Sequence, residues 1–528
     1  MSATAISARS TGEVHPFVGR DASWLLDQQA RRFGAKPFLI WQALIGPAQT
    51  YSYAAFSEET RAYAAGLTSI GVKAGDAVVI HLDNHPALLI AWFACARIGA
   101  LAVTTNTRAT EDELRFFLEH SRAVGMVTSN AHLRLVESRP AGLHWIACVD
   151  HSTAPNITPF EALRGDPAAC PSRDPDPSGF CSVMYTSGTT SRPKGVVWTH
   201  ANVLWGARVN AEHFSLTPAD RCLVFLPLFH TVAFCWNVLA SLHAGASVVL
   251  VPRFSASRFW DVARAHECSW TNMVGFTLQA IAERPDPADH RFRMWVCAGD
   301  LGRVRSRWGI RTLGAFGMTE LISQPLSSDV HHTGPEGSVG RPNPEYQVAL
   351  RRPSGEPGEL GEVADLWIKG VPGLSIFHSY LNDPSATSEA FDASGWFCTG
   401  DQVICDADGH VFYAGRAKDM LKVGAENVAA LEIEREILAI PGVREVAVVG
   451  RPDRMLDEVA VAFVVAEGRE DAIRTAILDR CAERLSDFKR PRAVHFVDEL
   501  PKGLLDKVLK RELRDLAIRL DSSSSQAN

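Results

Sequence analysis

Through about the first 410 residues, helix-period segments alternate with short apolar runs, which restricts the chain to α/β architecture with largely parallel sheets. Residues 59–70 read as a helix with Ala62, Ala65 and Leu67 on its apolar side, and residues 77–82 as a buried strand. Residues 86–98 read as a helix and 100–105 as a strand, and strand-like runs return at 222–226 and 246–251. No short-period internal repeat is visible. The pattern changes after Tyr413. Residues 430–438 read as a helix ended by Pro441-Gly442, and 443–449 and 459–465 as strands. Residues 471–485 read as a helix with Ile473, Ile477 and Cys481 at four-residue spacing. Together these make an α+β unit of about 110 residues, large enough for a separate domain. The junction is expected in Gly415-Arg416-Ala417-Lys418-Asp419. The expected domains are therefore 1–415 and 416–528, with a disordered tail from about 521 at the serine run.

The length of 528 residues allows about three to five structural units. A hydrophobic content of 46% with 21% charged residues allows a sizeable core. The net charge of -7 gives no general attraction to nucleic acid or anionic lipid, so an anionic ligand needs a local site. The 11 cysteines are scattered, without a C-x-x-C pair or zinc spacing, and read as reduced thiols of a cytosolic protein. Cys398 has no evident base beside it and reads as a bystander. The first 14 residues carry no apolar signal core. The most apolar stretch, 87–96, is ended by Arg97 and is too short to span a bilayer. Cytoplasm is the default location.

The strongest local signal is Tyr185-Thr186-Ser187-Gly188-Thr189-Thr190-Ser191-Arg192-Pro193-Lys194-Gly195, which follows the strand-like run 180–184. Small residues let backbone approach an anion, hydroxyls donate hydrogen bonds, and Arg and Lys supply charge. These are the needs of a triphosphate-gripping loop, and the spacing is not that of a Walker loop. A polar surface turn is the alternative reading.

From this motif onward the chain resembles the adenylate-forming superfamily of acyl- and aryl-CoA synthetases, luciferases and peptide-synthetase adenylation domains. The resemblance covers nearly the whole chain, from about residue 21 to 513, in several ordered motifs. It implies a large N-terminal domain of α/β subdomains plus a distorted β-barrel, capped by a small mobile C-terminal α+β domain. It also implies ATP-binding roles for Thr186, Ser187, Gly188, Thr189, Thr190 and Lys194. In Phe316-Gly317-Met318-Thr319-Glu320, the resemblance has Phe316 stacking on adenine, Thr319 contacting the α-phosphate and Glu320 holding Mg²⁺. Those roles suit a flat π face, a short hydroxyl and a hard carboxylate. In Gly395-Trp396-Phe397-Cys398-Thr399-Gly400-Asp401, the implied role of Asp401 is to accept from the ribose hydroxyls, with Arg416 reaching the same ribose. A turn aspartate is the alternative for Asp401.

The same resemblance places a hinge at Lys418 and a pantetheine tunnel at Gly424, which could equally be a turn glycine. In Leu500-Pro501-Lys502-Gly503-Leu504-Leu505-Asp506-Lys507-Val508-Leu509-Lys510, Lys507 aligns with the lysine that bridges carboxylate and α-phosphate. Lys502 and Lys510 are the alternatives. Asp506 departs from the family, which usually has glycine there. Asp is among the residues that enter left-handed geometry, and its carboxylate stands next to the lysine's charge. The acyl pocket is implied around Pro227-Leu228-Phe229-His230-Thr231 and the helix after it. His230, Val232, Trp236, Asn272 and Asp300 line it, and Gly299 lies on the nucleotide side. A lone histidine would otherwise read as structural.

The lining is apolar and aromatic, and the bulk of Trp236 favours a short or compact acid over a long straight acyl chain. Ser191, the segment 369–377 followed by Tyr380 and Asn382, and Gly424-Ala425-Glu426-Asn427-Val428 resemble the crotonobetaine/carnitine–CoA ligase branch. A carnitine-like or an aryl acid is therefore expected, with ATP, Mg²⁺ and coenzyme A. Catalytic roles fall to Lys507, Glu320, Thr186 and His230. A carrier-protein phosphopantetheine acceptor and a degenerate nucleotide-binding homologue are the competing readings. Relatives include many dimers, so the resemblance allows a homodimer.

Overall fold

Local chemistry explains most element ends in the computed structural model, which describes residues 14–152, 154–186, 193–297, 301–416, 419–423, 426–453, 456–485, 487–502 and 508–525. The helix Pro86–Ile98 begins with proline in its first turn, where no amide donor is needed, and stops at Gly99 in the left-handed region at φ 73°. All of its side chains are buried, as expected for a helix apolar on every face. The helix Tyr53–Ser69 starts earlier than the periodicity indicates. The Ser52 hydroxyl caps it by accepting from the Ala55 amide, and Tyr53 and Phe56 pack inward.

The chain divides into two compact units, one of residues 1–347 and 369–396, the other of 348–368 and 397–528. The first unit holds two large sheets. In one, Phe180–Thr186, Leu101–Thr104, Ala77–His81, Ala123–Thr128, Trp145–Cys148 and Thr158–Pro159 run parallel in that spatial order. Lys194–Thr199 and then Ser379–Tyr380 extend it antiparallel beyond Phe180–Thr186. In the other, Arg311–Leu313, Met294–Cys297, Trp270–Met273, Arg221–Val224, Ser247–Leu250 and Pro37–Trp41 are parallel neighbours, and Gln49–Ser52 closes the edge antiparallel. A core rich in aromatic rings, including Phe259, Phe292, Trp295 and Trp308, packs on this second sheet. The α/β architecture is as expected.

Antiparallel strands stand where the barrel was expected. Ala315–Phe316, Leu326–Ser327 and Ser338–Pro342 pair in the first unit. Gln347–Arg351, Val363–Lys369, Phe397–Cys405 and Val411–Arg416 follow one another in a single sheet. Within the second unit, Val443–Asp453 and Asp457–Ala466 form a long antiparallel pair, and Ala493–Phe496 joins it in parallel. The period of two sorts its side chains. Val448, Ala460 and Ala462 pack against the helices Ala430–Leu438 and Glu470–Arg484, whereas Ala447, Val449, Val461 and Phe463 pack against the helix Lys510–Ser525. This is the small α+β domain expected from the sequence. The serine run at 522–525 is a correction, because it continues the last helix where a disordered tail was expected. Adding residues to an existing helix costs far less than nucleating one, and Leu513 and Ala517 hold the nucleus in place. Among the described residues, no helix is long and apolar enough to cross a membrane.

Candidate active site

The antiparallel pair Phe180–Thr186 and Lys194–Thr199 sets Thr186 opposite Lys194 in register. The Thr186 hydroxyl donates to the Lys194 carbonyl at 3.4 Å. Ser187, Gly188, Thr189 and Thr190 lie outside the described residues, between these two ends. The Tyr185 hydroxyl is 2.9 Å from Nδ1 of His120, and burial raises the tyrosine's pKa, so it stays neutral.

Phe316 is buried on its short strand, and Gly317, Met318 and Thr319 are half-buried. Glu320 is only 4% exposed. The Tyr380 hydroxyl donates to Oε1 of Glu320 at 3.0 Å, and the Lys194 ammonium lies 4.7 Å from the centroid of the same tyrosine ring. Two expected nucleotide-binding residues, from a hairpin and a tight turn, are thus joined through an edge-strand aromatic. Sequence reading noted Tyr380 but gave it no role, since nothing local links it to Glu320. Gly317 is required by space: a Cβ there would fall 2.4 Å from Cζ2 of Trp236 and 2.8 Å from the Ser323 carbonyl.

Val232–Leu239 is a π-helix, a wider turn that often marks functional sites. Just before it, His230 is half-buried with its ring 4.6 Å from that of Phe229. Val232 is half-buried, and Trp236 is buried with its indole N–H donating to the Ile322 carbonyl at 3.1 Å. Asn272 is buried, and its amide donates to Oδ1 of Asn237 at 2.9 Å. The Trp236 indole N–H and the Asn272 amide nitrogen are therefore engaged inside the protein. Gly299 and Asp300 lie outside the described residues. The segment at 369–377 is held by the capping pair of the helix His200–His213: Thr199 Oγ1 donates to the Gly373 carbonyl at 2.6 Å, and Asn202 Nδ2 to those of Leu374 and Ile376 at 2.8 Å.

In the second unit, Asp401 and Arg416 face each other in register on antiparallel strands. Arg416 Nε is 2.7 Å from Oδ1 of Asp401, and the Tyr413 hydroxyl donates to that oxygen at 3.0 Å. Asp401 is 2% exposed, and Arg416 also donates to the Thr399 carbonyl at 3.1 Å. Burial raises the Cys398 thiol's pKa, which keeps it protonated and fits a bystander. Lys418, Gly424, Asp506 and Lys507 lie outside the described residues. Val423 pairs with Glu426 on either side of Gly424, and Lys502 pairs with Val508 across the segment that contains Lys507. Lys502 is 2.8 Å from Glu445, and Lys510 is 2.7 Å from Glu434, so both alternative lysines have carboxylate partners.

Two largely parallel sheets, a hairpin expected to carry a phosphate-binding loop and a small α+β domain are the arrangement expected of a nucleotide-using enzyme class. Residues 26–381 match the family of AMP-binding enzymes, and residues 432–505 match the AMP-binding enzyme C-terminal domain. The chain belongs to this family. It is 30% identical over 512 residues to a crotonobetaine/carnitine–CoA ligase of Salmonella paratyphi C, covering 94% of this chain and 99% of the relative. A ligase of the same name from Escherichia coli O139:H28 is also 30% identical over 512 residues, with the same coverage. Among solved structures, the anthranilate CoA ligase AuaEII in complex with anthranoyl-AMP is similar, with a TM-score of 0.88 and 26% identity over 96% of this chain and 99% of that one. A benzoate CoA ligase from Burkholderia xenovorans LB400 has a TM-score of 0.82 and 26% identity over 94% of this chain and 100% of that one.

Proposed function

We propose that the protein is an ATP-dependent acyl-CoA ligase that converts a compact carboxylic acid, ATP and coenzyme A into acyl-CoA, AMP and diphosphate. The observation that carries this reading is the contact chain Lys194–Tyr380–Glu320, which joins the phosphate-loop hairpin to the adenine-side motif. The acid is already ionised at neutral pH, so its oxygen attacks the α-phosphorus without a general base, and diphosphate leaves. Activation then rests on positioning and charge neutralisation. Thr186, Ser187, Gly188, Thr189, Thr190 and Lys194 hold the phosphates, with Gly299, Phe316, Gly317, Met318 and Thr319 around the adenine and α-phosphate. Asp401 and Arg416 hold the ribose. Glu320 fits a magnesium ligand, being a buried carboxylate with one oxygen oriented by a tyrosine hydroxyl. Mg²⁺, when bound, neutralises phosphate charge. Lys507 bridges the acid and the α-phosphate.

In the second step the coenzyme A sulfur attacks the acyl carbon, AMP leaves and the thiol proton passes to solvent. Gly424 lines the path of the thiol. The domain junction falls at 415/416 with the hinge at Lys418, and the enzyme works in the cytoplasm.

His230, Val232, Trp236, Asn272 and Asp300 form the acyl side. The tethered indole of Trp236 and the apolar surroundings favour a compact acid, either aryl or carnitine-like, over a long chain. The test is AMP release from MgATP with carnitine, crotonobetaine, aryl, short branched and medium-chain acids, each with and without coenzyme A. Turnover with one compact acid that depends on coenzyme A is expected. Silence across the panel while ATP still binds would overturn the reading. With the responsive acid, Lys507→Ala should stop adenylate formation and spare thioester formation from a supplied acyl adenylate.

A further inference from the structure

Four consecutive carbonyls in the turn that carries Glu320 are each held by a donor from a different part of the first unit. The Trp198 indole N–H donates to the Thr319 carbonyl at 3.0 Å, and the Phe377 amide donates to that of Glu320 at 2.7 Å. The Tyr346 hydroxyl, with one proton between the Leu321 carbonyl at 2.9 Å and that of Ser375 at 3.1 Å, sits nearer the former, and the Trp236 indole N–H reaches the Ile322 carbonyl at 3.1 Å. The segment is held in a conformation it would not choose. Ile322 has φ 62° and ψ -46°, and the Ser323 amide donates back to the Leu321 carbonyl at 2.6 Å, which closes the rarer form of γ-turn. For a β-branched residue a positive φ is an outlier, and such strain persists only where the surroundings over-determine it. Room has been made for it: a Cβ on Gly206 would fall 2.5 Å from Cγ2 of Ile322.

We propose that Trp198 and Tyr346, together with the Trp236 N–H, are positioning residues that lock the strained Thr319–Ile322 turn so that Thr319 and Glu320 are aimed before the nucleotide arrives. The inference rests on the nucleotide-binding reading of Thr319 and Glu320. A fixed turn spares the site reorganisation when charge develops on the phosphates. Neither Trp198 nor Tyr346 has a role in the proposed chemistry itself, and each acts through the backbone it holds.

The test uses Trp198→Phe and Tyr346→Phe, which keep a ring in place and remove one donor each. Tyr53→Phe is the control, since it removes a buried hydroxyl donor to the Ala246 carbonyl at 2.5 Å, and neither residue belongs to the site. Thermal unfolding, MgATP affinity by calorimetry without acid, and the kcat and KM of AMP formation are measured for all. Trp198→Phe and Tyr346→Phe should weaken MgATP binding or kcat roughly tenfold or more, the usual effect of losing a group that orients a ligand residue. The control should lose comparable thermal stability with kinetics near wild type. Equal kinetics in all three variants, or kinetic losses that follow unfolding temperature in the control as well, would overturn the proposal. A wild type that binds MgATP and turns over no acid would instead remove the ligase reading, and the calorimetry would still test the turn.

Discussion

Tyr380 does two jobs with one side chain. Its ring face meets the Lys194 ammonium, and its hydroxyl orients Glu320. Tyr380→Phe keeps the first contact and deletes the second, leaving the Glu320 carboxylate with one fewer donor in a buried setting. AMP formation should fall roughly tenfold, with the loss concentrated in kcat or in the magnesium requirement. The folded state should survive, because the ring volume is unchanged. Steady-state kinetics across a magnesium titration measures this, and wild-type kinetics in the variant would show that Glu320 does not depend on the hydroxyl. The Asp401–Arg416–Tyr413 cluster follows similar logic, with a buried carboxylate held by two donors within the second unit.

At the scale of elements, close approach of backbones decides which glycines matter. Gly206 lies inside the helix His200–His213, where alanine would ordinarily gain roughly 1 kcal/mol of helix propensity. Its Cβ, however, would sit 2.5 Å from both Cys235 Sγ on the π-helix and Ile322 Cγ2 on the strained turn. Overpacking of this kind costs about 1–3 kcal/mol, enough to outweigh the propensity gain. Gly206→Ala should lower the denaturant midpoint and impair AMP formation together, since it pushes on two elements of the site. Gly275→Ala is the stability control, because nothing lies within 4 Å of its Cβ position. A neutral Gly206→Ala would mean that the π-helix and the turn yield easily.

For the whole molecule, buried neutral histidines should make stability fall as soon as the pH drops below neutrality. Burial pushes His81 and His200 down to about 3; the neighbouring His132 lowers His81 further, and Arg173 lowers His200. Asp83 opposes the first shift and Asp176 the second. The unfolded chain titrates these groups at 6.5, so between 6.5 and about 3 it binds protons that the folded chain refuses. Stability therefore falls as pH drops through that window, starting before the carboxylates contribute. Asp27 and Asp220, lowered by their Arg97 and Arg293 partners against the opposing effect of burial, add a further loss at more acidic pH. Urea unfolding from about pH 7 to about pH 5 should give a falling midpoint, and His81→Gln should flatten that slope. An unchanged midpoint over this range would contradict the buried-neutral assignment.

Local signals in the sequence determined the α/β class, the presence of a small C-terminal α+β domain, and helix limits such as Pro86–Ile98 and Ala430–Leu438. Proline, left-handed glycine and side-chain periodicity act over a few residues, so they can be read without the fold. Motif resemblance assigned Asp401 and Arg416 to one ribose without a contact between them, and it is strand register that sets the two face to face. The helical serine run was missed because its conformation is inherited from the packed turns before it. The link from Tyr380 to Glu320 spans 60 residues, and that from Trp198 to Thr319 spans 121, distances over which no local pattern operates. Ile322 is the sharpest case. Its side chain argues against a positive φ, and only donors gathered by the tertiary fold hold it there. The sequence by itself therefore determined which chemical groups were present and in what order. The tertiary structure decided which groups touch and which backbone angles survive, because those depend on contacts whose partners are remote in the chain.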